Sequence, residues 1–383
     1  MTQTQGQLLT SIRKWFSIMI ALNAPERQFK DNSVLIESIN SLIFDGPYLN
    51  GKETKSFESE FSNYIGTKFS LLVSSGTSAL ELALKSVKRK GGNAVLMSAN
   101  AGGYAAVAAV NTGLIPRFVD VSSSGLLTPE GVSAAISGDV DAIIVTHLYG
   151  QTVDISEIRN AMRNYEIPII EDCAQSCGSL LSKKRSGSFG EISCFSFYPT
   201  KNLSTIGDAG AVCTSDTTIN EKLVALRQYG WGTERYFSNV PGGSNYRADE
   251  IHALVLRDGL LKLDIRNLRR KEIWNRYQTA LVGSREILIG SQGDDFVAHL
   301  AVLVTDSREK FRSFMAEREI ETSVHFPYPD YLQDAFQLSI STLRNTDRLC
   351  KSVVSIPLFP ELFEREIAAI ENALKDSVKH ESI

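Results

Sequence analysis

The sequence has few of the features that mark disulfide-stabilised, metal-binding or membrane-spanning proteins. Its five cysteines are an odd set without paired C-x-x-C spacing, so they indicate neither a disulfide framework nor a metal site, and suit a reducing compartment. No stretch approaches the roughly 20 apolar residues of a membrane helix. The apolar segment Trp15–Leu22 is short for a signal peptide, which favours a packed N-terminal helix and a cytoplasmic protein.

The chain also lacks a large charge of one sign. Its 40 Lys and Arg residues against 44 Asp and Glu give a net charge of −4, so the overall field attracts neither nucleic acid nor an anionic membrane. Hydrophobic residues make up 43% of the 383 residues, enough for a sizeable core. At roughly 100–200 residues per domain, this length predicts two domains, or one large domain with a smaller partner.

Short β-rich runs alternate with helical patterns between about residues 69 and 215. Two of them, Ala142–Val145 and Ile167–Ile170, are continuously apolar, as strands covered by helices on both faces must be. The pattern predicts an α/β fold, with a large domain built on a seven-stranded, mostly parallel sheet. The predicted strands are Phe69–Ser75, Ala94–Ala99, Pro116–Val121, Ala142–His147, Pro168–Asp172, Ile192–Tyr198 and Gly210–Thr214.

A long helical pattern follows, from Ala248 to about Leu281, and the rest of the chain mixes strands and helices. We therefore expect a smaller α+β C-terminal domain. The predicted organisation is an N-terminal extension over residues 1–21, a large domain over 22–265 and a small domain over 266–383. The predicted C-terminal elements are the strands Phe296–Thr305, Thr322–Phe326 and Val353–Pro357 and the helices Arg308–Arg318 and Leu362–Lys375.

Open parallel sheets bind ligands at the carboxyl ends of their strands, so the residues just after each strand are the candidate site. The first candidate is Ser74–Ala79, where Gly76, Thr77 and neighbouring serines stand between a strand and a helix-forming run. Backbone N–H groups at such a helix start suit a phosphate. An ordinary helix cap has the same composition, and this segment alone does not separate the two readings.

The second candidate is Ile169–Gln175, where a buried strand ends in adjacent carboxylates and Gln175 follows Asp172 by three positions. A carboxylate at this edge can hold a metal ion or a protonated ring nitrogen, although a helix-capping aspartate has the same pattern.

The third candidate is Lys201, which follows the aromatic strand Ile192–Tyr198 and precedes a glycine-rich turn. A desolvated lysine loses its proton more easily and becomes a nucleophile, which suits Schiff-base chemistry. A lysine in an exposed loop is the ordinary alternative. Along the chain, a candidate phosphate loop comes first, then Asp-x-x-Gln, then the lysine. This order favours a nucleophilic role for Lys201 over an exposed loop lysine.

With these motifs in this order, the chain resembles the DegT/StrS sugar aminotransferases, pyridoxal-phosphate enzymes of the aspartate-aminotransferase fold (fold type I). The resemblance starts near Leu22 and covers most of the chain. Its other motifs are Gly46-Pro-Tyr-Leu-Asn-Gly51, Phe57-Glu-Ser-Glu-Phe61, His147-Leu-Tyr-Gly-Gln151, Asn245-Tyr-Arg-Ala-Asp-Glu250 and His325-Phe-Pro.

The resemblance implies a role for each motif residue. Lys201 would bond covalently to pyridoxal 5′-phosphate and then carry a proton between the substrate and the cofactor. Asp172 would pair with the pyridinium nitrogen and keep it protonated. The other cofactor contacts would come from Gln175 near the ring O3′, and from Gly76, Thr77 and the Ser196 hydroxyl at the phosphate.

The resemblance also implies partners and substrates. Asn245 would reach the phosphate of the neighbouring subunit's cofactor, so a homodimer with shared active sites is expected. His325, Tyr331 and Tyr198 would face the substrate, a nucleotide-linked keto sugar that receives an amino group, with L-glutamate as the donor. The family's dehydratases carry histidine in place of Lys201, so the lysine favours transamination. The segments Ser196–Leu203, Gly207–Gly210 and Leu226–Gly230 resemble those of family members that aminate C-3 more than those that act at C-4.

Two positions depart from the family pattern. The aromatic residue that usually stacks on the cofactor is replaced by Gly102, and Tyr104 is a candidate to take its place. Tyr331 stands where the family often has histidine. Two alternative functions remain. One is another pyridoxal-phosphate reaction, such as elimination, and the other is a non-catalytic regulator that binds the cofactor or a sugar nucleotide.

Overall fold

The computed structural model describes residues 19–30, 32–87, 92–336 and 342–379. Its strands are β1 (Phe69–Val73), β2 (Ala94–Ser98), β3 (Ile115–Val119), β4 (Val140–Thr146), β5 (Ile169–Asp172), β6 (Leu180–Leu181), β7 (Lys184–Arg185), β8 (Ile192–Ser196), β9 (Gly210–Thr214), β10 (Ile287–Ile289), β11 (Ala301–Val304) and β12 (Val353–Ile356). Its α-helices are α1 (Ser33–Asp45), α2 (Lys52–Ile65), α3 (Gly76–Val87), α4 (Tyr104–Asn111), α5 (Pro129–Ala135), α6 (Ile155–Ala161), α7 (Thr217–Arg227), α8 (Glu250–Ala280), α9 (Arg308–Ala316), α10 (Arg344–Ser352) and α11 (Glu364–Lys379).

The large sheet confirms the predicted α/β fold. Its seven strands lie in the order β1-β9-β8-β5-β4-β2-β3, and only β9 runs antiparallel to its neighbours. Successive side chains of a strand enter opposite layers: Val95 and Met97 pack with α3 and α4, whereas Leu96 packs with α5 and α6. Because helices cover both faces, the strands are apolar throughout, as the sequence indicated.

The C-terminal part is a smaller α+β unit, also as predicted. Strands β10, β11 and β12 form an antiparallel sheet that packs with α8, α9 and α11 in a separate apolar cluster. Helix α8 contributes to both cores: Leu256 and Leu263 pack near the large sheet, and Trp274 and Tyr277 near the small one. The proposed boundary between residues 265 and 266 falls inside this helix.

Some C-terminal predictions were wrong. The predicted strand Thr322–Phe326 forms a single bridge, between Ser323 and Ser355, and its last residues, His325 and Phe326, line a cavity instead of pairing with a strand. The strand predicted over Phe296–Thr305 is shortened to β11. Strand β10 and helix α10 were not predicted.

The N-terminal helix predicted over Trp15–Leu22 lies mostly outside the described residues. The described end of this segment, Met19–Leu22, is not helical, and Ile20 pairs with Ile320 in an isolated parallel bridge. Among the described helices, none combines the length and the apolar character needed to cross a membrane.

A buried carboxylate ties the long helix to the large domain. Glu250, at the start of α8, accepts hydrogen bonds of 2.8–3.0 Å from the backbone N–H groups of Gly51, Glu53 and Thr54 at the start of α2. Helix α2 has no side-chain cap of its own, so Glu250 supplies both the acceptors and a negative charge at the positive end of the helix dipole. A Cβ at position 51 would lie 2.6 Å from both Glu250 Oε2 and Pro47 Cγ, so any larger residue there would displace the capping carboxylate or the proline ring.

Glu250→Gln should therefore lower the free energy of unfolding by about 2 kcal/mol, because a neutral amide replaces a charged acceptor of three hydrogen bonds. Urea unfolding followed by circular dichroism measures this change. Glu272→Gln is the matched control, because the Glu272 side chain is 59% exposed and pairs with Arg269 on its own helix. This variant should lose less than about 0.5 kcal/mol of unfolding free energy. Equal losses in the two variants would contradict the capping role.

Candidate active site

A cavity of about 480 Å³ opens at the carboxyl edge of the large sheet, where the segments after β1, β5 and β8 meet. Residues from the C-terminal unit complete its wall. The structure brings most of the sequence-predicted site residues together here. Those that line the cavity are Gly76, Thr77, Tyr104, Asp172, Gln175, Ser196, Tyr198, Lys201 and His325.

One end of the cavity is built by the start of α3. Ser75 caps this helix, because its Oγ accepts a hydrogen bond of 3.0 Å from the Ser78 N–H. The helix begins at Gly76, whose added Cβ would lie 2.8 Å from Ser196 Cβ, so glycine allows the helix start to approach the end of β8. The first N–H groups of a helix lack acceptors within it and carry positive character. The segment is thus both a capped helix and a site that fits a phosphate.

Asp172 is a buried carboxylate with room for another partner. Its Oδ1 accepts a hydrogen bond of 3.1 Å from the Ala174 N–H, and its Oδ2 accepts only a long one, 3.4 Å, from the Thr146 hydroxyl. Burial raises the pKa of Asp172, and the Ala174 N–H and the charge of Lys201 partly oppose this shift. A protonated ring nitrogen would satisfy Oδ2 and keep the carboxylate ionised.

The neighbouring carboxylate, Glu171, points away from the cavity into a buried network. His147 Nε2 lies 2.9 Å from Glu171 Oε2, and both side chains are fully buried. His147 Nδ1 accepts the N–H of Val153 at 3.0 Å, so the proton is on Nε2 and is donated to Glu171. Glu171 also accepts hydrogen bonds from the backbone N–H groups of Gly187, Phe189 and Gly190.

Cys173 lies close enough to His147 and Glu171 for the three to be considered as metal ligands. However, both His147 nitrogens and the Glu171 oxygens already make hydrogen bonds, and burial holds the pKa of the Cys173 thiol well above its usual value. These hydrogen bonds indicate that the group is structural, because they hold the ends of β4 and β5 in place.

Lys201 follows β8 in a turn closed by a 2.8 Å hydrogen bond from its N–H to the Tyr198 carbonyl. Burial lowers the pKa of its ammonium to about 8, and the charge of Asp172 opposes the shift. Within the described ranges, no group accepts a hydrogen bond from its Nζ. An amine with this pKa is partly neutral near neutral pH and can act as a nucleophile.

Gln175 is held in a defined orientation. Its Oε1 accepts a hydrogen bond of 2.7 Å from the Tyr149 N–H. The amide NH₂ is therefore the end that remains to donate in the cavity, which suits a ligand oxygen.

Two predicted residues lie elsewhere. Tyr331 is buried, and its hydroxyl donates to Asp347 at 2.8 Å, so the side chain does not line the cavity. Asn245 is exposed on the surface, where its Oδ1 accepts from the Arg247 Nε–H at 3.1 Å. Its predicted role, which involves a second subunit, stays a prediction.

Other cavity residues were not predicted from the sequence. His299 lines the cavity and is buried, and its Nδ1 lies 2.8 Å from Asn202 Oδ1. His299 lies inside the predicted strand Phe296–Thr305, so the sequence pattern indicated a residue of the hydrophobic core. Thr146 and Asp208 also line the cavity. Thr146 ends β4, and the rule that strand ends carry the site identifies it.

Residues 30–375 match the model of the DegT/DnrJ/EryC1/StrS aminotransferase family. The chain belongs to this family. It is 32% identical to a UDP-N-acetyl-3-dehydro-alpha-D-glucosamine 3-aminotransferase from Acidithiobacillus ferrooxidans, over 93% of this chain and 96% of the relative. It is 33% identical to a dTDP-3-amino-3,6-dideoxy-alpha-D-galactopyranose transaminase from Aneurinibacillus thermoaerophilus, over 88% of this chain and 93% of the relative.

A solved structure supports the same assignment. DesV of S. venezuelae, crystallised with a ketimine intermediate, matches with a TM-score of 0.90 and 30% identity, covering 95% of this chain and 99% of that one. The family, the fold and the aminotransferase activity predicted from the motifs are confirmed, and with them the cofactor, pyridoxal 5′-phosphate. The cavity of this aminotransferase fits that group, because it offers an amine, a buried carboxylate and a phosphate-binding helix start.

In the cofactor-free aminotransferase, modification of Lys201 by an amine reagent should rise with pH around a midpoint near 8. Asp172→Asn should move this midpoint to lower pH, because it removes the negative charge that raises the lysine pKa. Peptide mass spectrometry after timed labelling measures the rate at each lysine. Lys262, which pairs with Asp258 on the surface, is the internal control and should be unaffected. An unchanged or higher midpoint for Lys201 would disprove the coupling.

Proposed function

We propose that this aminotransferase moves an amino group from L-glutamate to C-3 of a nucleotide-linked keto sugar, in deoxyamino-sugar or polysaccharide biosynthesis. The observation that carries the proposal is the meeting of Lys201, Asp172 and the start of α3 in one cavity. The two similar enzymes named above are, by their names, a 3-aminotransferase and a transaminase of a 3-amino sugar, which supports C-3. The glutamate donor follows the resemblance to the family.

Pyridoxal phosphate supplies an aldehyde that bonds to amines and a ring that takes up electrons from the reacting carbon. Lys201 would hold the aldehyde end and, once displaced by a substrate amine, move a proton to and from the reacting carbon. Its lowered pKa suits both tasks, because the amine must give up its proton near neutral pH. Asp172 would accept the ring N–H, and the Gln175 amide would donate to the ring oxygen.

The sugar would lie toward His325 and Tyr198, which line the same cavity. Burial lowers the pKa of His325 to about 4, so its imidazole is neutral at physiological pH. Its Nδ1 lies 2.9 Å from the Ser355 hydroxyl. A neutral imidazole suits a hydrogen bond to a sugar hydroxyl better than a contact with a phosphate.

A surface feature supports the homodimer. Helices α1 and α8 pack together, linked by a 3.0 Å hydrogen bond from Asn32 to Asp258, and both expose large apolar side chains. An exposed apolar surface of this kind is typical of a subunit interface. The most exposed of these side chains are Val34, Phe44, Leu261, Ile265 and Leu268.

The activity predicts a response to glutamate. With pyridoxal phosphate bound, L-glutamate should change the cofactor absorbance and release 2-oxoglutarate, and a nucleotide-linked 3-keto sugar should then restore the spectrum. Lys201→Ala should lose turnover by at least about 10³-fold with an unchanged fold by circular dichroism. Lys262→Ala serves as the surface control. Release of ammonia would indicate elimination, and a bound cofactor that no amino donor alters would indicate a regulator.

The shared site predicts complementation between two inactive variants. In a mixed dimer of Lys201→Ala and Asn245→Ala protomers, one site combines an intact Lys201 with an Asn245 from the other chain. Unfolding and refolding the two variants together should therefore recover activity that neither has alone. Activity and mass of the mixture, measured after size-exclusion chromatography, test this. No recovery from mixed dimers would contradict a role for Asn245 across the interface.

A further inference from the structure

Position 102 has no side chain, and an aromatic ring occupies the space that one would fill. A Cβ built on Gly102 would lie 2.8 Å from Cδ1 and Cε1 of Phe326 and 3.1 Å from its Cζ. These distances are shorter than carbon–carbon contact allows, so any larger residue at 102 would displace the ring. The two positions are thus complementary in size, although 224 residues separate them.

Phe326 forms part of the wall of the cavity that holds Asp172 and Lys201. Tyr104 also reaches the cavity, but it is 56% exposed and meets Phe326 edge-on, with ring centroids 6.0 Å apart and an angle of 76°. Tyr104 therefore braces one side of Phe326. Of the two rings, Phe326 is the more enclosed and the one seated against the backbone at 102.

A buried carboxylate fixes the segment that carries Phe326. Asp330 is 2% exposed, and its Oδ2 accepts a 3.0 Å hydrogen bond from the Ala101 N–H. The N–H groups of Gly102 and Gly103 also lie near its carboxylate, and together these three N–H groups oppose the rise that burial causes in the pKa of Asp330. Both glycines have φ near +79°, a conformation that turns consecutive N–H groups toward one anion. The Asp330 N–H in turn donates to the Ala99 carbonyl at 2.8 Å.

The other end of the segment is also held. The Tyr149 hydroxyl donates to the His325 carbonyl, and Tyr149 is fully buried. Phe326 is therefore fixed between two anchors, one on each side along the chain. Its position depends on the backbone of residues 101–103 as much as on its own contacts.

We propose that Phe326 supplies the aromatic wall against which the ring of pyridoxal phosphate packs, and that Gly102, Gly103 and Asp330 hold it there. The inference rests on the cofactor site described above and assigns the ring-packing contact to Phe326 instead of Tyr104. A flat aromatic ligand gains affinity from an aromatic wall, by roughly tenfold for one ring contact.

The test compares Phe326→Leu with Tyr104→Leu in the holoenzyme. We expect Phe326→Leu to weaken pyridoxal phosphate binding by about tenfold and to change the visible circular dichroism of the bound cofactor, which reports its ring environment. Tyr104→Leu removes only the edge contact to Phe326, so it should weaken binding and change that signal less than Phe326→Leu does. Phe326→Tyr keeps the ring and should restore both readouts. Wild-type signals in Phe326→Leu, or the larger loss in Tyr104→Leu, would overturn the proposal.

Asp330→Asn tests the support without touching the ring. It weakens the acceptor of the Ala101 N–H and removes the negative charge near the N–H groups of residues 102 and 103, so we expect a partial change in the same dichroism signal. If Phe326→Leu does not fold, Gly102→Ala is the second variant, because its added Cβ would displace the Phe326 ring. We expect this variant to lose pyridoxal phosphate affinity as Phe326→Leu does. Wild-type affinity in Gly102→Ala would overturn the proposal. If the wild-type protein binds no pyridoxal phosphate, the cofactor site itself is wrong. If the wild-type protein binds it and the Phe326 variants bind it equally well, only the role of Phe326 is wrong.

Discussion

Burial acts in opposite directions on the two charged groups that the cavity depends on. It raises the pKa of Asp172 and lowers that of Lys201, so each group is pushed toward its neutral form. Each also opposes the shift of the other by its charge. Both groups are short of partners among the described residues: Asp172 Oδ2 has one long hydrogen bond, and the Lys201 Nζ has none. Because both groups are buried and short of partners, they contribute little to the stability of the protein on their own. They suit a ligand that brings both a ring N–H and an aldehyde.

Such a pair needs a rigid setting, which the adjacent carboxylate provides. Alternate residues of a strand face opposite sides, so Glu171 and Asp172 point in different directions although they are neighbours. Glu171 is saturated by His147 and by three backbone N–H groups, whereas Asp172 is not. One carboxylate therefore fixes the ends of β4 and β5, and the other remains available for chemistry. Cys173 completes the packing of this network.

The parts of the site that the sequence predicted are those governed by local rules. The large-sheet strands that lead to the site are mostly apolar runs; Gly76 and Lys201 follow two of them, and Asp172 ends a third. Tyr331 could not be placed in the same way, because its burial depends on Asp347 in a helix that the sequence did not indicate. His299 had the pattern of a core residue, and it reaches the cavity because the adjoining residues Leu300 and Val302 pack with the segment after β4. The seating of Phe326 against Gly102 joins distant segments, which no periodicity encodes.

The long helix α8 links the two units whose residues meet in the cavity. It packs against the large sheet with its first half and against the small sheet with its second, so it sets where residues of the C-terminal unit meet the carboxyl edge. His299, His325 and Phe326 all come from that unit, and they face residues of the large sheet across the cavity. The Asp330 carboxylate then fixes this approach to the backbone at 101–103. A ring from the C-terminal unit can therefore occupy the space beside Gly102, because packed helices and a buried carboxylate set the distance between the two segments.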